Sequence, residues 1–147
     1  MSNFVYTNAK RAILAGEIDW ASDDIRALAV MSNTTADTEE DTTTISGFST
    51  LDEFDGSGYT RQTLAGKTVT ADNTNDRGVF DANDAQFTNI SAGSRAIVGF
   101  LVYKHVTNDT DAIPLLYIDT VSGIALPFTP NGGSVIIQWS ASGVLYA

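Results

Sequence analysis

The chain has 147 residues and no cysteine, and 18 acidic against 8 basic residues give a formal net charge of −10. That length suits one domain, which buries roughly 70% of the surface its unfolded form exposes. The charge balance argues against a nucleic-acid surface, because phosphate binding needs clustered Lys and Arg and here they are scattered, and the missing cysteines exclude disulfides, thiolate catalysis and Cys-based zinc sites.

The opening MSNFVYTNAKRAIL holds no long apolar stretch of the kind a secretory leader carries. No run approaches the ~20 apolar residues of a membrane-spanning helix, so no membrane partner is expected. From Phe4 the spacing is helical. Phe4, Ala9, Ile13 and Leu14 share one face, with Lys10 and Arg11 outside and Gly16 as the stop. Trp20 follows in a connection, as a packed anchor. DIRALAVM then reads as a strand with apolar residues on both faces, hence a buried one. Residues 32–46, SNTTADTEEDTTTIS, hold almost no large apolar side chain, and the expectation is a solvated, mobile acidic loop or insertion. An acidic cation-binding loop is the alternative. Next, Ser49 or Thr50 can cap a helical turn carrying Leu51 and Phe54, stopped by DGSG.

From Tyr59 the period becomes strand-like. YTRQTLAGKTVTAD reads as two short strands around Gly66, or one strand bulged there. In RGVFDANDAQFTNIS, Val79, Phe80, Phe87 and Ile90 are apolar contacts and DAND is a turn. SRAIVGFLVYKH is a long strand and PLLYIDTV the next, with Pro114 at its start; the two form a hairpin through VTNDTDAI. After the connection SGIALPFTPNGG, Val135, Ile137 and Trp139 alternate with Ile136, Gln138 and Ser140, which places Trp139 inside, and GVLYA is a closing strand. The expected fold is mainly β, an antiparallel β-sandwich or barrel with one short N-terminal helix, in one domain over residues 1–147.

No catalytic motif emerges. His105 is the lone histidine and ends a strand; a small hydrolase built on His105 and Asp119 is conceivable, but no G-x-S-x-G elbow accompanies it. One histidine forms neither a three-His nor an H-E-x-x-H metal centre. Asp81, Asn83 and Asp84, and likewise Asn108, Asp109 and Asp111, have oxygens suited to calcium, but neither set fits the EF-hand loop, and such residues also make turns. The adjacent acids Asp52/Glu53 and Asp23/Asp24 do not form a glycosidase pair by sequence alone, since neighbours in a strand point to opposite faces. The GSG at Gly56–Gly58 lacks the rest of a phosphate loop, and PNGG at Pro130–Gly133 is a turn. No catalytic residue, cofactor or metal is expected.

Five stretches in order, NFVYTNAKRAILAGEIDWASDDIRALAV, AGKTVT, GVFDANDAQFT, VYKHVTNDTDAIPLLYIDT and ALPFTPNGGSVIIQWS, cover most of the chain. Together they resemble small virion structural proteins of tailed bacteriophages; residues 31–46 lie outside the likeness. The resemblance implies a non-enzymatic particle component, most like a capsid decoration (cement) protein. Its implied partner is the major capsid protein, its form a homo-oligomer with a trimer favoured, its place the capsid exterior after synthesis in the host cytoplasm. Neither nucleic acid nor membrane is an implied partner. Aromatics in connections are the candidate interface anchors, Trp20, Tyr59 and Phe128, with Phe4 and Tyr6 from an N-terminal arm, Met1–Tyr6, reaching a neighbour. The competing expectation is a tail, neck or spike module that binds glycans through Trp20, Tyr59 or Trp139.

Overall fold

The computed structural model describes residues 3–147, and Met1 and Ser2, the tip of the expected arm, lie outside the described residues. The chain forms strand β1 (Phe4–Val5), helix α1 (Thr7–Leu14) and strand β2 (Ile25–Met31), then short β3 (Gln62–Thr63). Strands β4 (Thr68–Asp72), β5 (Arg77–Asp81) and β6 (Ala85–Phe87) precede the long pair β7 (Ile97–Lys104) and β8 (Ile113–Ile118). Strands β9 (Val135–Ile137) and β10 (Leu145–Tyr146) close the chain.

Three antiparallel sheets result, ordered β1-β8-β7-β2-β3, β10-β5-β4 and β6-β9. They stack as a sandwich-like body and none closes into a barrel. Strands β2 and β7 are the centre. Apart from Arg26, Val98 and Lys104 their residues are buried, as an apolar run with both faces covered requires.

Two aromatic chains mark the two covered faces. Leu28, Leu101 and Tyr117 lie opposite one another in register, and Phe4 pairs with Tyr117. From Tyr117 the rings run through Phe4 at 5.5 Å and Tyr6 at 5.0 Å to Phe48 at 5.6 Å. Phe100 is the next residue of β7 and so faces the other way. There the rings run through Phe87 at 5.9 Å and Tyr59 at 5.5 Å to Phe54 at 5.5 Å. Gly99 makes room on the first face, since a Cβ there would collide with the Tyr117 phenol. Gly66 separates β3 from β4, as the sequence suggests, with φ of +62° that favours glycine.

Several local expectations are overturned. Phe4 is in a strand, not on the helix, because the Tyr6 amide bonds the Leu115 carbonyl at 3.0 Å and pulls residues 4–6 onto the β8 edge. The helix buries Ala9 and Ala12 instead, and Leu14 is 89% exposed. Gly16 does end it, at φ +74°. No helical turn forms at Leu51–Phe54. Glu53 bridges Val30, and the Phe54 amide bonds the Ala29 carbonyl at 2.9 Å, so this segment extends the β2 edge. A 3-10 turn lies earlier, over Ile45–Gly47.

The acidic segment 32–46 is folded, not a free loop. Ala36 and Ile45 are buried. The Tyr6 hydroxyl donates to the Ala36 carbonyl at 2.6 Å, the Thr7 amide to Glu40 at 3.0 Å and the Ile45 amide to Ala112 at 3.0 Å. Glu39 accepts from Thr35, from the Ser49 amide and from the Ser49 hydroxyl, which pins residues 35–49 into one turn and holds its carboxyl below the usual range. Burial pushes the Tyr6 hydroxyl pKa far up, so it remains a donor throughout the physiological range.

Tyr6→Phe therefore removes the Ala36 bond from a buried site. Urea unfolding is expected to show a loss of about 1–3 kcal/mol, with faster amide exchange concentrated in residues 34–46. Unchanged exchange there would mean that the segment is held by other contacts.

Candidate functional site

A polar cluster lies at the β2 edge. Arg61 sits one residue before β3 and reaches two carboxylates that come from distant parts of the chain. Its guanidinium meets Glu53 at 2.8 Å through two nitrogens, and Asp109 at 2.6 and 2.9 Å. The Tyr103 hydroxyl is 3.1 Å away and the Tyr103 ring centroid 5.3 Å. Tyr59 completes the cluster, accepting from the Ala29 amide at 3.0 Å and donating to Glu53 at 2.9 Å. The hydrogen bond to Glu53 raises the Arg61 pKa further, and the bond from Arg61 lowers that of Asp109. A cation held by two bidentate acids is a brace. Neither acid is left as a free general base or acid.

The adjacent acids noted in the sequence are divided in the same way. Asp52, at a φ of +50°, turns to Arg95 and accepts from the Asn33 amide at 2.8 Å, while Glu53 turns to Arg61. Asp23 pairs with Lys104 at 2.8 Å and Asp24 with Arg26 at 2.6 Å. Each pair is thus split between two cations, a geometry unlike two acids facing one sugar.

His105 and Asp119 do not meet. Register places Lys104 opposite Ile113 and Phe100 opposite Ile118, so the two residues flank opposite ends of the hairpin, about 20 Å apart at 3.4 Å per residue. The His105 amide bonds the Asp24 carbonyl at 2.8 Å, and its ring nitrogen Nδ1 is buried without a partner. The loop at 108–111 is a turn, as expected. Asp111 accepts from the Thr107 and Asn108 amides at 2.9 and 3.0 Å, and Asn108 from the Thr110 amide at 2.8 Å. The expected turn at DAND does not form: residues 82–84 join β5 to β6 without one, Asp81 accepts from the Ala82 amide at 2.9 Å, and Asp84 reaches across to the Trp139 amide at 3.1 Å. Among the described residues no group of three or more His, Cys, Asp or Glu is placed to hold a metal. No helix among them is long and apolar enough to cross a membrane.

The expected interface anchors are mostly interior. Tyr6 is fully buried, and Trp20, 1% exposed, stacks on Phe80 at 5.1 Å and donates from Nε1 to the Asp81 carbonyl at 2.8 Å. Neither offers ring surface to a partner, which corrects that reading. Tyr59 is half-buried with its hydroxyl engaged. Phe4 is half-buried in β1, so the arm belongs to the chain's own sheet. Phe128 is half-buried and exchanges two 2.8 Å backbone bonds with Ile97. Trp139 is half-buried, not interior, and its Nε1 donates to Asn83 at 2.8 Å.

What sequence reasoning missed is a cleft of about 530 Å³ where β1 and β8 face β9 and β10. Lys10, Gln138, Trp139, Ser140 and Tyr146 are on its walls, with Leu116 and Ile118 among its apolar lining. It joins elements far apart in the chain, so no local motif announces it. Its amides, hydroxyls and aromatic edges can bind a polar ligand, but they include no activated nucleophile. Comparison with protein-family models, curated proteins and solved structures finds no match to this chain.

The Arg61 brace has a testable pH signature. Because the folded pKa of Asp109 is depressed, its contribution is present above the unfolded value, near ~3.9, and lost as pH falls through the lower folded value. Arg61→Met is expected to cost about 1–3 kcal/mol at pH 7 by urea unfolding. The gap to the unaltered protein should narrow below that carboxylate range; a gap independent of pH would refute the brace.

Proposed function

We propose that this chain is a non-enzymatic structural protein of a tailed-bacteriophage particle, which binds the capsid shell from outside and stabilises it as a decoration (cement) protein. The observation that carries the reading is the use of the charged residues. Asp23, Asp24, Asp52, Glu53, Asp109 and Asp111, weighed above for chemistry, are tied to Arg26, Arg61, Arg95 and Lys104 or to backbone amides. They brace loops against the central sheet, as a rigid particle component requires.

The sequence resemblance supports the same reading. Its five stretches fall on β1–α1–β2, β4, β5–β6, β7–β8 and β9, the elements that make the body. The major capsid protein is the proposed partner, on the virion exterior, with the chain assembling as a homo-oligomer, a trimer being the form the resemblance favours. A formal charge of −10 disfavours direct binding to the packaged nucleic acid.

A second reading has its own observation. The cleft beside Trp139 and Tyr146 suits a tail, neck or spike component that binds glycans. The two separate in one assay. Shells of the same virus's capsid protein, stripped of this chain, should bind it to a fixed copy number on sedimentation and gain resistance to heat. Failure to sediment, with glycan-array binding that Trp139→Ala abolishes, would favour the second reading and remove the first.

A further inference from the structure

Strand β4 is an open edge. It is the outer strand of the β10-β5-β4 sheet, five residues long, and Thr68–Ala71 are all exposed. Exposed edges are ordinarily blunted by short length, inward charge, proline or a bulge. The five-stranded sheet follows that rule, with two-residue strands β1 and β3 at its margins. β4 does not. Its TVTA core is uncharged, lacks proline and runs in unbroken register with β5.

The direction of each backbone group follows from β5. Gly78 exchanges hydrogen bonds with Ala147, and Phe80 accepts from Val144, so both face β10. Their alternates Arg77, Val79 and Asp81 face β4, opposite Asp72, Thr70 and Thr68. The amides and carbonyls of Val69 and Ala71 therefore point away from the sheet. The Val69 side chain is 54% exposed, on the same face as its partner Phe80.

We propose that β4 pairs with β4 of a second copy, antiparallel, across a two-fold axis at Thr70. This register sets Val69 against Ala71 of the second copy, and the reverse. Both outward-facing residues of each strand then gain backbone partners, four bonds in all. A two-fold at Val69 or at Ala71 would instead push one of them against residues outside β4. Thr68 falls opposite Asp72 of the second copy, so no like charges meet. On the inner face the apolar row Leu145–Phe80–Val69 continues onto Ala71 of the second copy. This self-complementarity is what selects a second copy over a foreign strand. The contact is a two-fold one between free chains, separate from the proposed attachment to a shell and from any three-fold assembly there, and it stands or falls without them.

The absence of cysteine makes the test direct, since Thr70→Cys introduces the sole thiol. At the two-fold the Thr70 pair is a non-hydrogen-bonded one, with Cα atoms about 4.5 Å apart, inside disulfide reach. Under mild oxidation the full chain carrying Thr70→Cys should become a disulfide-linked dimer. Thr68→Cys, about 14 Å from its own copy at ~3.4 Å per residue, should stay monomeric. Sedimentation equilibrium of the unaltered chain should show mass rising toward the dimer with concentration, and Val69→Lys, also exposed, should shift that equilibrium at least tenfold toward monomer. Equal linking of both cysteine variants, or no linking together with a monomer at every concentration, would overturn the pairing. The latter result would leave the edge to a strand from another protein.

Discussion

Everything else in the molecule is arranged around the need to cover both faces of β2 and β7. Six of the seven residues of Ile25–Met31 are apolar, and the seventh, Arg26, turns outward to Asp24. A strand pair apolar on both sides is stable only between two layers. One layer is the Tyr6–Phe48 side, closed by α1 and the acidic segment. The other is the Phe87–Tyr59 side, closed by the smaller sheets. Neither layer is held by a long regular element. Each is held by aromatic rings seated on the central strands, and by side chains that tie irregular backbone down.

That arrangement explains where the polar residues went. A short helix and short strands leave many backbone amides without ladder partners, and side-chain oxygens take the place of the ladder. Asp52, Glu39, Asp111 and Asn108 accept from such amides. The cations then neutralise acids placed at the seams between elements. Arg61 joins the segment before Phe54 to the loop after β7, and Lys104 joins the end of β7 to Asp23 before β2. The acids that stand side by side in the sequence are, in the fold, separate tethers. Such a body suits a protein whose work is to keep its shape against a partner.

The strongly periodic parts were legible in the sequence. Strands β2, β7, β8 and β9 coincide with apolar runs, and Gly16 and Gly66 stand at the breaks they suggested. The failures share a cause, contacts distant in sequence. A two-residue strand such as β1 has no periodicity, so the sequence pattern carries Phe4 into the helix that follows it. Glu53 lies in a stretch with good capping chemistry, yet pairing with Val30 wins. Residues 32–46 are polar enough to float, and what anchors them is a tyrosine 30 residues away from Ala36. The candidate site shows the same limit. Local pattern does not distinguish an aromatic anchor facing a partner from one facing the core, and Tyr6 and Trp20 proved to be the latter. The cleft beside Trp139 and the open β4 edge arise only once three sheets are assembled.

On the proposed function, this tethered body belongs on the outside of a phage head. Gold-labelled antibody against the chain, imaged on intact phage particles whose genome carries its gene, tests this most directly. Label spread evenly over the head is the predicted result. Label confined to the tail or neck, or none on any particle, would contradict it.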